Sequence, residues 1–232
     1  MNETTQARAP RLRLEPIRHV TVDLLDQDRA GQIHIGNLST SGIGLLRPPD
    51  LVLPEPGTRL AARLAIRDSL TEVGLELVHV TRSIAGCRFL EKLGAIRGLI
   101  ARHFQSEIAA MDLAEVRASL IRPQPDGEAR WFRSGTGCEL YLVHSQGRIA
   151  RFSLTLFGNL IEMSTGGVVT YGRIMEEEND SGDGLKRLAD LVRFEPFIPE
   201  EIRQSARRFL WNIPGLPEEF RCFLEQRLVL IP

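Results

Sequence analysis

Residues 32–46 read QIHIGNLSTSGIGLL and place a polar corner between two apolar runs. Gln32 to Leu38 and Ile43 to Leu46 each have the length and composition of a short strand. Ser39 to Gly42 holds only small or hydroxyl-bearing residues, which favour a tight turn. This stretch therefore predicts a strand, a corner and a second strand.

The same strand-like pattern extends from Arg18 to Leu90. An earlier strand is predicted from three apolar residues that fall on one face, Val20, Val22 and Leu24. Later strands are predicted at Arg59 to Ile66, Leu70 to Val80 and Gly86 to Leu90. Several short strands at this spacing are typical of a closed or nearly closed antiparallel barrel.

Beyond Glu91 the apolar residues recur at the spacing of a helix, at Leu93, Ile96, Ile100, Phe104, Ile108 and Met111. This stripe predicts one long amphipathic helix that extends toward Ala118. We expect the helix to cap the barrel core. Formation of a homodimer through the stripe is the alternative.

A linker is predicted at Pro123 to Gly127, where turn-forming residues cluster. An antiparallel meander of four or five strands follows, at Trp131–Phe132, Leu140 to Val143, Ile149 to Leu156, Leu160 to Met163 and Val168 to Tyr171. The acidic tract Glu176 to Asp183 predicts a solvated loop. Helices are predicted at Gly184 to Phe194, Pro199 to Asn212 and Pro217 to Leu228. The predicted fold class is α+β, with a barrel domain at 12–120 and a sheet-and-helix domain at 128–232.

Composition narrows the classes of function. The 232 residues carry 29 Lys and Arg against 30 Asp and Glu, a formal net charge of -1, so the whole molecule is not expected to bind a nucleic acid polymer. No stretch approaches the length of apolar sequence that a membrane helix needs, and we expect a cytoplasmic protein. The cysteines Cys87, Cys138 and Cys222 are widely spaced and predict reduced thiols. No spacing typical of a metal site is found among the histidines.

The run from Asn37 to Gly42 resembles the signature of the PilZ domain family. In that signature Asp or Asn, then Ser two residues on, then Gly three residues further on, line one side of a nucleotide site. Arginines also precede the first strand of PilZ domains, and Arg8, Arg11, Arg13 and Arg18 occupy that region here. Gly86 to Leu90, followed by a helix, resembles the closing segment of the family's barrel. The resemblance extends from Leu12 to about Arg97.

The resemblance implies a bacterial signalling receptor whose ligand is cyclic di-GMP, with no further cofactor and no metal. The ligand-binding residues that it implies are Arg11, Arg13, Arg18, Asn37, Ser39 and Gly42. An arginine fork suits phosphate or the guanine O6 and N7 atoms, and an asparagine amide suits a guanine edge. The corner glycine permits a close backbone approach to the ligand or a positive φ.

One feature departs from the family pattern. The family's arginine pair is separated by three residues, whereas four residues separate Arg13 from Arg18. A three-residue gap before Arg18 would place Leu14 where an arginine belongs. The partner of Arg18 therefore stays open.

Two functions follow from these observations. The first is a cyclic di-GMP receptor that changes conformation on binding and acts on an unidentified partner protein; the alternative is a PilZ-like scaffold that binds no nucleotide. An enzyme is not expected, because the second half has no nucleophile elbow, phosphate loop or paired-carboxylate motif. Arg203, Arg207 and Arg208 share one predicted helix and form either a solvated face or a docking surface for a partner.

Overall fold

The computed structural model describes residues 12–13, 20–25, 32–47, 49, 51–90, 93–175 and 191–229. The chain divides into two compact units, residues 1–105 and 106–232. Within those described ranges, none of the helices is long and apolar enough to cross a membrane.

The first unit is an antiparallel barrel, and its closure confirms the predicted architecture. Its strands are β1 (Leu12–Arg13), β2 (Val20–Leu24), β3 (Ile33–Leu38), β4 (Gly42–Leu46), β5 (Arg59–Ile66), β6 (Ser69–Val80) and β7 (Ile84–Phe89). Six of them follow one another in the order β3-β2-β5-β6-β7-β4, and β4 pairs back with β3 to close the ring. The short β1 pairs with β3 as an additional strand.

Alternation along the strands fills the barrel interior. The fully buried leucines include Leu38, Leu45, Leu64, Leu75 and Leu77. Because successive side chains of a strand point to opposite faces, the residues between these leucines are left on the outer face. The outer face is therefore where the barrel can present polar groups.

Two helices replace the single long helix that the apolar stripe predicted. The first, α1 (Leu93–His103), belongs to the barrel unit, and the second, α2 (Gln105–Met111), falls almost wholly in the second unit. Ile96 and Ile100 are buried in α1, whereas Ala109 and Ala110 of α2 belong to the core of the second unit. The prediction of one helix toward Ala118 is wrong because the stripe serves two separate cores. The division at residue 105 also precedes the predicted linker.

The second unit contains one antiparallel meander with helices. Its strands are β8 (Ala114–Glu115), β9 (Glu128–Arg133), β10 (Glu139–Ser145), β11 (Arg148–Leu156), β12 (Asn159–Met163), β13 (Val169–Met175) and β14 (Leu191–Glu195), each paired with the next. A short 3-10 helix lies at Ala118–Leu120. The chain then forms α3 (Glu200–Asn212) and α4 (Glu218–Val229), close to the predicted bounds.

The predicted helix from Gly184 to Phe194 is wrong at its carboxyl end. Leu191–Glu195 is a strand that pairs with β13, and Gly172 opposite Phe194 allows the two strands to approach closely, since a Cβ there would lie 2.6 Å from Val192 Cγ1. Pairing with an open sheet edge decides the conformation of such a short segment. Residues 176–190, with the acidic tract, lie outside the described residues.

Candidate functional site

A pocket of ≈ 770 Å³ lies on the outer face of the barrel, across β3, β4, β7 and β6. Three of the residues predicted from the sequence line it, namely Asn37, Ser39 and Gly42. Other lining residues, for which the sequence predicted no role in binding, include Ser41, Gly44, Val78, His79, Ile84, Gly86 and Arg88. The predicted motif thus forms one wall of a larger surface.

A row of four residues crosses the pocket from strand to strand. Asn37 lies opposite Gly44, Gly44 lies opposite Gly86, and Gly86 lies opposite His79. Residues opposite each other in neighbouring strands share a face of the sheet. The row therefore has a polar side chain at each end and two glycines at its centre.

The two glycines make room for the polar side chains at the ends of the row. A Cβ on Gly44 would lie 2.6 Å from Asn37 Nδ2, and a Cβ on Gly86 would overlap His79 Cε1. The Asn37 amide and the His79 imidazole occupy the space that those side chains would take. Glycine inside a strand commonly marks a close approach of another group, and here the groups are the two polar ends of the row.

Two β-bulges turn Asn37 and His79 toward the pocket. Residues two apart in a regular strand face the same side, yet Ile35 is buried in the core while Asn37 lines the outer pocket. The register shifts between Ile35 and Asn37 in β3, and again between Leu77 and His79 in β6. Each extra residue reverses the direction of the side chain that follows it.

Ser39 shapes the corner between β3 and β4. Its Oγ accepts hydrogen bonds from the backbone N–H groups of Ser41 (3.3 Å) and Gly42 (3.1 Å), and it lies 3.1 Å from the Gly42 carbonyl oxygen, to which it donates. Only 7% of Ser39 is exposed. The hydroxyl is thereby engaged inside the turn, whereas Ser41, 3.2 Å away between Oγ atoms, is exposed.

Gly42 is required by the pairing of β4 with β7. A Cβ at this position would overlap the carbonyl oxygen of Cys87. Gly42 does not have a positive φ, so that proposed reason for a glycine is wrong, and an approach of backbone to a ligand stays a prediction. The group that approaches Gly42 is the backbone of the neighbouring strand.

Arg88 supplies positive charge at the rim of the pocket. Arg88 is in β7, where it lies opposite Gly42 of β4 and opposite Glu76 of β6. Its Nη2 donates to Glu76 Oε2 at 2.7 Å, while 60% of the arginine side chain stays exposed. An exposed ion pair contributes about 0–1 kcal/mol, so Arg88 can exchange Glu76 for a ligand at little cost.

The predicted arginines lie partly outside the described residues. Arg11 and Arg18 belong to the ranges that the structure does not describe, and so does Arg8. Arg13 is in β1, where its backbone pairs opposite Asn37. The backbone of Arg13 therefore lies beside β3 at the Asn37 end of the glycine row.

Possible metal ligands and the arginines of α3 were the remaining candidate groups in the described part of the chain. No group of three His, Cys, Asp or Glu side chains there is arranged to hold a metal ion. Arg207 Nε lies 3.4 Å from Glu225 Oε1 of α4, and Arg208 Nε lies 3.5 Å from Glu107 Oε1 of α2. These arginines connect α3 to its neighbours within the second unit.

Burial and ion pairing shift the pKa of several groups. Desolvation raises the pKa of the thiol of Cys87, a buried residue among those that line the pocket, to about 11. Desolvation also lowers the pKa of His103, which is 3.2 Å from Ser69 Oγ, and the charge of Arg67 acts in the same direction. In the second unit a hydrogen bond from Arg151 lowers the pKa of Asp126. None of these groups contributes a charge to the pocket, whose polar lining includes the Asn37 amide, the His79 imidazole, the serine hydroxyls and Arg88.

No family model and no curated protein matches the chain. Among solved structures, the chain is similar to the Legionella uncharacterized protein Lpg0364, with 16% identity over 42% of this chain and 96% of that one and a TM-score of 0.33. It is also similar to the Borreliella burgdorferi PlzA protein in complex with c-di-GMP, with 13% identity over 85% of this chain and 88% of that one and a TM-score of 0.26.

Proposed function

We propose that this chain is a cyclic di-GMP receptor of the PilZ type and that the nucleotide binds in the pocket on the outer face of the barrel. One observation carries the proposal: Asn37 and the Ser39 to Gly42 corner line the same pocket as Gly44 and Gly86. As part of the same proposal, binding changes the conformation of the chain, and the second unit acts on a partner protein.

The size of the pocket supports a nucleotide-sized ligand. Its volume of ≈ 770 Å³ lies within the range of about 300–1,000 Å³ that is usual for small-molecule sites. Gly44 and Gly86 make room there for the Asn37 amide and the His79 imidazole, which lie over them. An amide can hydrogen-bond the edge of a heterocycle and an imidazole can stack on its face.

The polar groups suit guanine and phosphate. The Asn37 amide offers donors and an acceptor to a base edge, and Arg88 offers a planar fork for guanine O6 and N7 or for a phosphate oxygen. Arg11, Arg13 and Arg18 are the proposed phosphate ligands. The backbone of Arg13 pairs with β3 opposite Asn37, which is a residue of the pocket.

A conformational change follows if the ligand bridges the N-terminal arginines and the pocket. A ligand shifts an equilibrium only by its difference in affinity for the two states. Phosphates held by the arginine segment and bases held by the pocket would make the bridged state the tighter one. The bridged state would then be the form that the partner protein distinguishes.

A second function, a scaffold that binds no nucleotide, is favoured by one observation. The Ser39 hydroxyl is engaged inside its own turn, and Gly42 is required by the Cys87 carbonyl. Both motif residues therefore have a purpose in the barrel without a ligand. Asn37 does not share this explanation, because a bulge is needed to turn it toward the pocket.

Titration calorimetry of the purified chain with cyclic di-GMP tests the two functions. We expect saturable binding that weakens as salt rises, because part of the attraction is between arginines and phosphates. Loss of a bidentate base contact is worth about 1–3 kcal/mol, so Asn37→Ala should weaken binding about 5- to 150-fold.

Thr40→Ala is the matched control, since Thr40 is exposed in the same corner and does not line the pocket. Equal affinity in the wild type and in Asn37→Ala would place the site elsewhere. Absence of heat for the wild type at high micromolar nucleotide would favour the scaffold.

A further inference from the structure

His79 is an exposed residue whose position depends on a bulge. The register of β6 against β7 shifts between Leu77, which is fully buried, and His79. In a regular strand His79, two residues after Leu77, would point into the core with it, whereas the extra residue of the bulge, Val78, turns the imidazole to the outer face. The bulge is therefore the feature that delivers an imidazole to the pocket.

The imidazole rests against backbone on one side and faces the pocket on the other. A Cβ on Gly86 would overlap His79 Cε1 and would lie 2.6 Å from Nδ1 and 2.8 Å from Nε2. Gly86 is itself buried, while His79 is exposed. A ring held against a strand backbone and open on the side of the pocket has the arrangement of a stacking platform.

The surroundings of the ring suit a heterocyclic base. Val78 and Ile84 line the same part of the pocket, and Val78 is half exposed. Arg88 lies two residues from Gly86 on the same outward face of β7. Proteins recognise unpaired bases by this combination, in which an aromatic ring stacks on the base and polar groups read its edge.

We propose that His79 contacts the ligand directly and that one guanine base of the nucleotide stacks on its imidazole over Gly86, with Arg88 at the base edge. This inference rests on the proposed function and adds residues of β6 and β7 to it. The proposed base site then extends from Asn37 to His79, whose side chains lie over Gly44 and Gly86.

Three variants test the inference by calorimetry with cyclic di-GMP. Stacking on an aromatic residue is worth about 1–3 kcal/mol per base, so His79→Ala should bind about 5- to 150-fold more weakly than the wild type. His79→Phe keeps a ring at the same place and should retain most of the affinity. His34→Ala is the matched control, because His34 is an exposed barrel histidine outside the pocket.

A second readout separates stacking from an indirect effect. In proton NMR spectra, the Hδ2 and Hε1 signals of His79, assigned by their loss in His79→Ala, should move upfield when the nucleotide is added, since a stacked purine shields them. The His34 signals should stay in place. Far-UV circular dichroism of each variant checks that the barrel is folded.

The outcomes distinguish the two levels of the proposal. A wild type that binds no cyclic di-GMP overturns the proposed function and this inference with it. A wild type that binds, with His79→Ala of equal affinity and unmoved His79 signals, overturns the inference alone. Binding that is lost equally in His79→Ala and His79→Phe overturns stacking, because it shows that the ring nitrogens act instead.

Discussion

Replacing Gly42 by alanine tests whether the close approach of β4 and β7 fixes this position. A Cβ on Gly42 would overlap the Cys87 carbonyl oxygen and would lie 3.2 Å from the Cys87 carbonyl carbon and 3.3 Å from Arg88 Cα. All three are backbone atoms, which cannot rotate away as a side chain can. The substitution therefore requires the two strands to separate.

The magnitude follows from two opposing terms. Forcing an additional methyl group into a packed site costs about 1–3 kcal/mol, whereas restricting the unfolded chain stabilises the folded state by about 0.4–1 kcal/mol. Gly42→Ala should therefore lower the free energy of unfolding of the barrel by about 1–2 kcal/mol. Gly94→Ala in α1 is the control, because a Cβ there meets nothing within 4 Å. It should raise the free energy of unfolding by about 0.5–1 kcal/mol.

The two buried cysteines allow each unit to be followed separately. Cys87 is in the barrel and Cys138 is in the second unit. Pulse alkylation across a urea series, with peptides resolved by mass spectrometry, gives one unfolding midpoint for each thiol. Gly42→Ala should lower the Cys87 midpoint and leave the Cys138 midpoint unchanged, and Gly94→Ala should raise the Cys87 midpoint.

Unchanged Cys87 labelling in Gly42→Ala would refute this reasoning. If cyclic di-GMP affinity were lost in the same variant, Gly42 would be required by the ligand and not by the strand pairing.

Two further predictions concern titration and ion pairing. Burial raises the pKa of Cys87 to about 11, above its value in an unfolded chain, so the folded state favours the neutral thiol. The free energy of unfolding of the barrel should therefore be at its full value below about pH 9. It should fall by about 2–3 kcal/mol as the pH rises through about 11. Urea midpoints from far-UV circular dichroism should show this fall in the wild type and a smaller one in Cys87→Ala, and equal slopes would contradict it. Arg208→Ala should lower the Cys138 alkylation midpoint, because Glu107, 3% exposed, loses a cation at 3.5 Å. The expected cost is about 1–3 kcal/mol, and an unchanged midpoint would argue against a structural role for Arg208.

The barrel could be predicted from the sequence because its strands obey a simple period. In β2 the apolar residues Val20, Val22 and Leu24 are all buried, and the residues between them are polar. The turn residues Ser39 to Gly42 clearly separate the apolar runs of β3 and β4. The meander of the second unit was predictable for the same reason. Local patterns of this kind need no knowledge of distant contacts.

The site could be predicted only where it coincides with a motif. Asn37, Ser39 and Gly42 were found through the resemblance, whereas His79 and Arg88 were not. A bulge has no signature in the residue types of a strand, so the position of the extra residue cannot be seen in the sequence. Periodicity alone would therefore have placed His79 on the same side as Leu77. The signal that was available is the pairing of outward glycines at Gly44 and Gly86, which becomes visible only once the register is known.

The errors outside the barrel have the same origin in tertiary structure. A continuous helical stripe from Leu93 to Met111 does not reveal that its two halves are buried in different cores. Leu191–Glu195 becomes a strand because β13 offers it an edge to pair with. Neither fact is encoded in the local spacing of apolar residues.

Hydrogen–deuterium exchange of the wild-type chain with and without saturating cyclic di-GMP tests the central claim most directly. Binding in the pocket should slow exchange in peptides that cover residues 33–46 and 76–89, which carry the corner, the glycine row, His79 and Arg88. Peptides covering strands β9 to β13 of the second unit (residues 128–175), none of which lines this pocket, serve as the internal reference for direct contact. Protection at 33–46 and 76–89 is the result that our account predicts. Protection confined to residues 128–175, or none at saturating nucleotide, would contradict it.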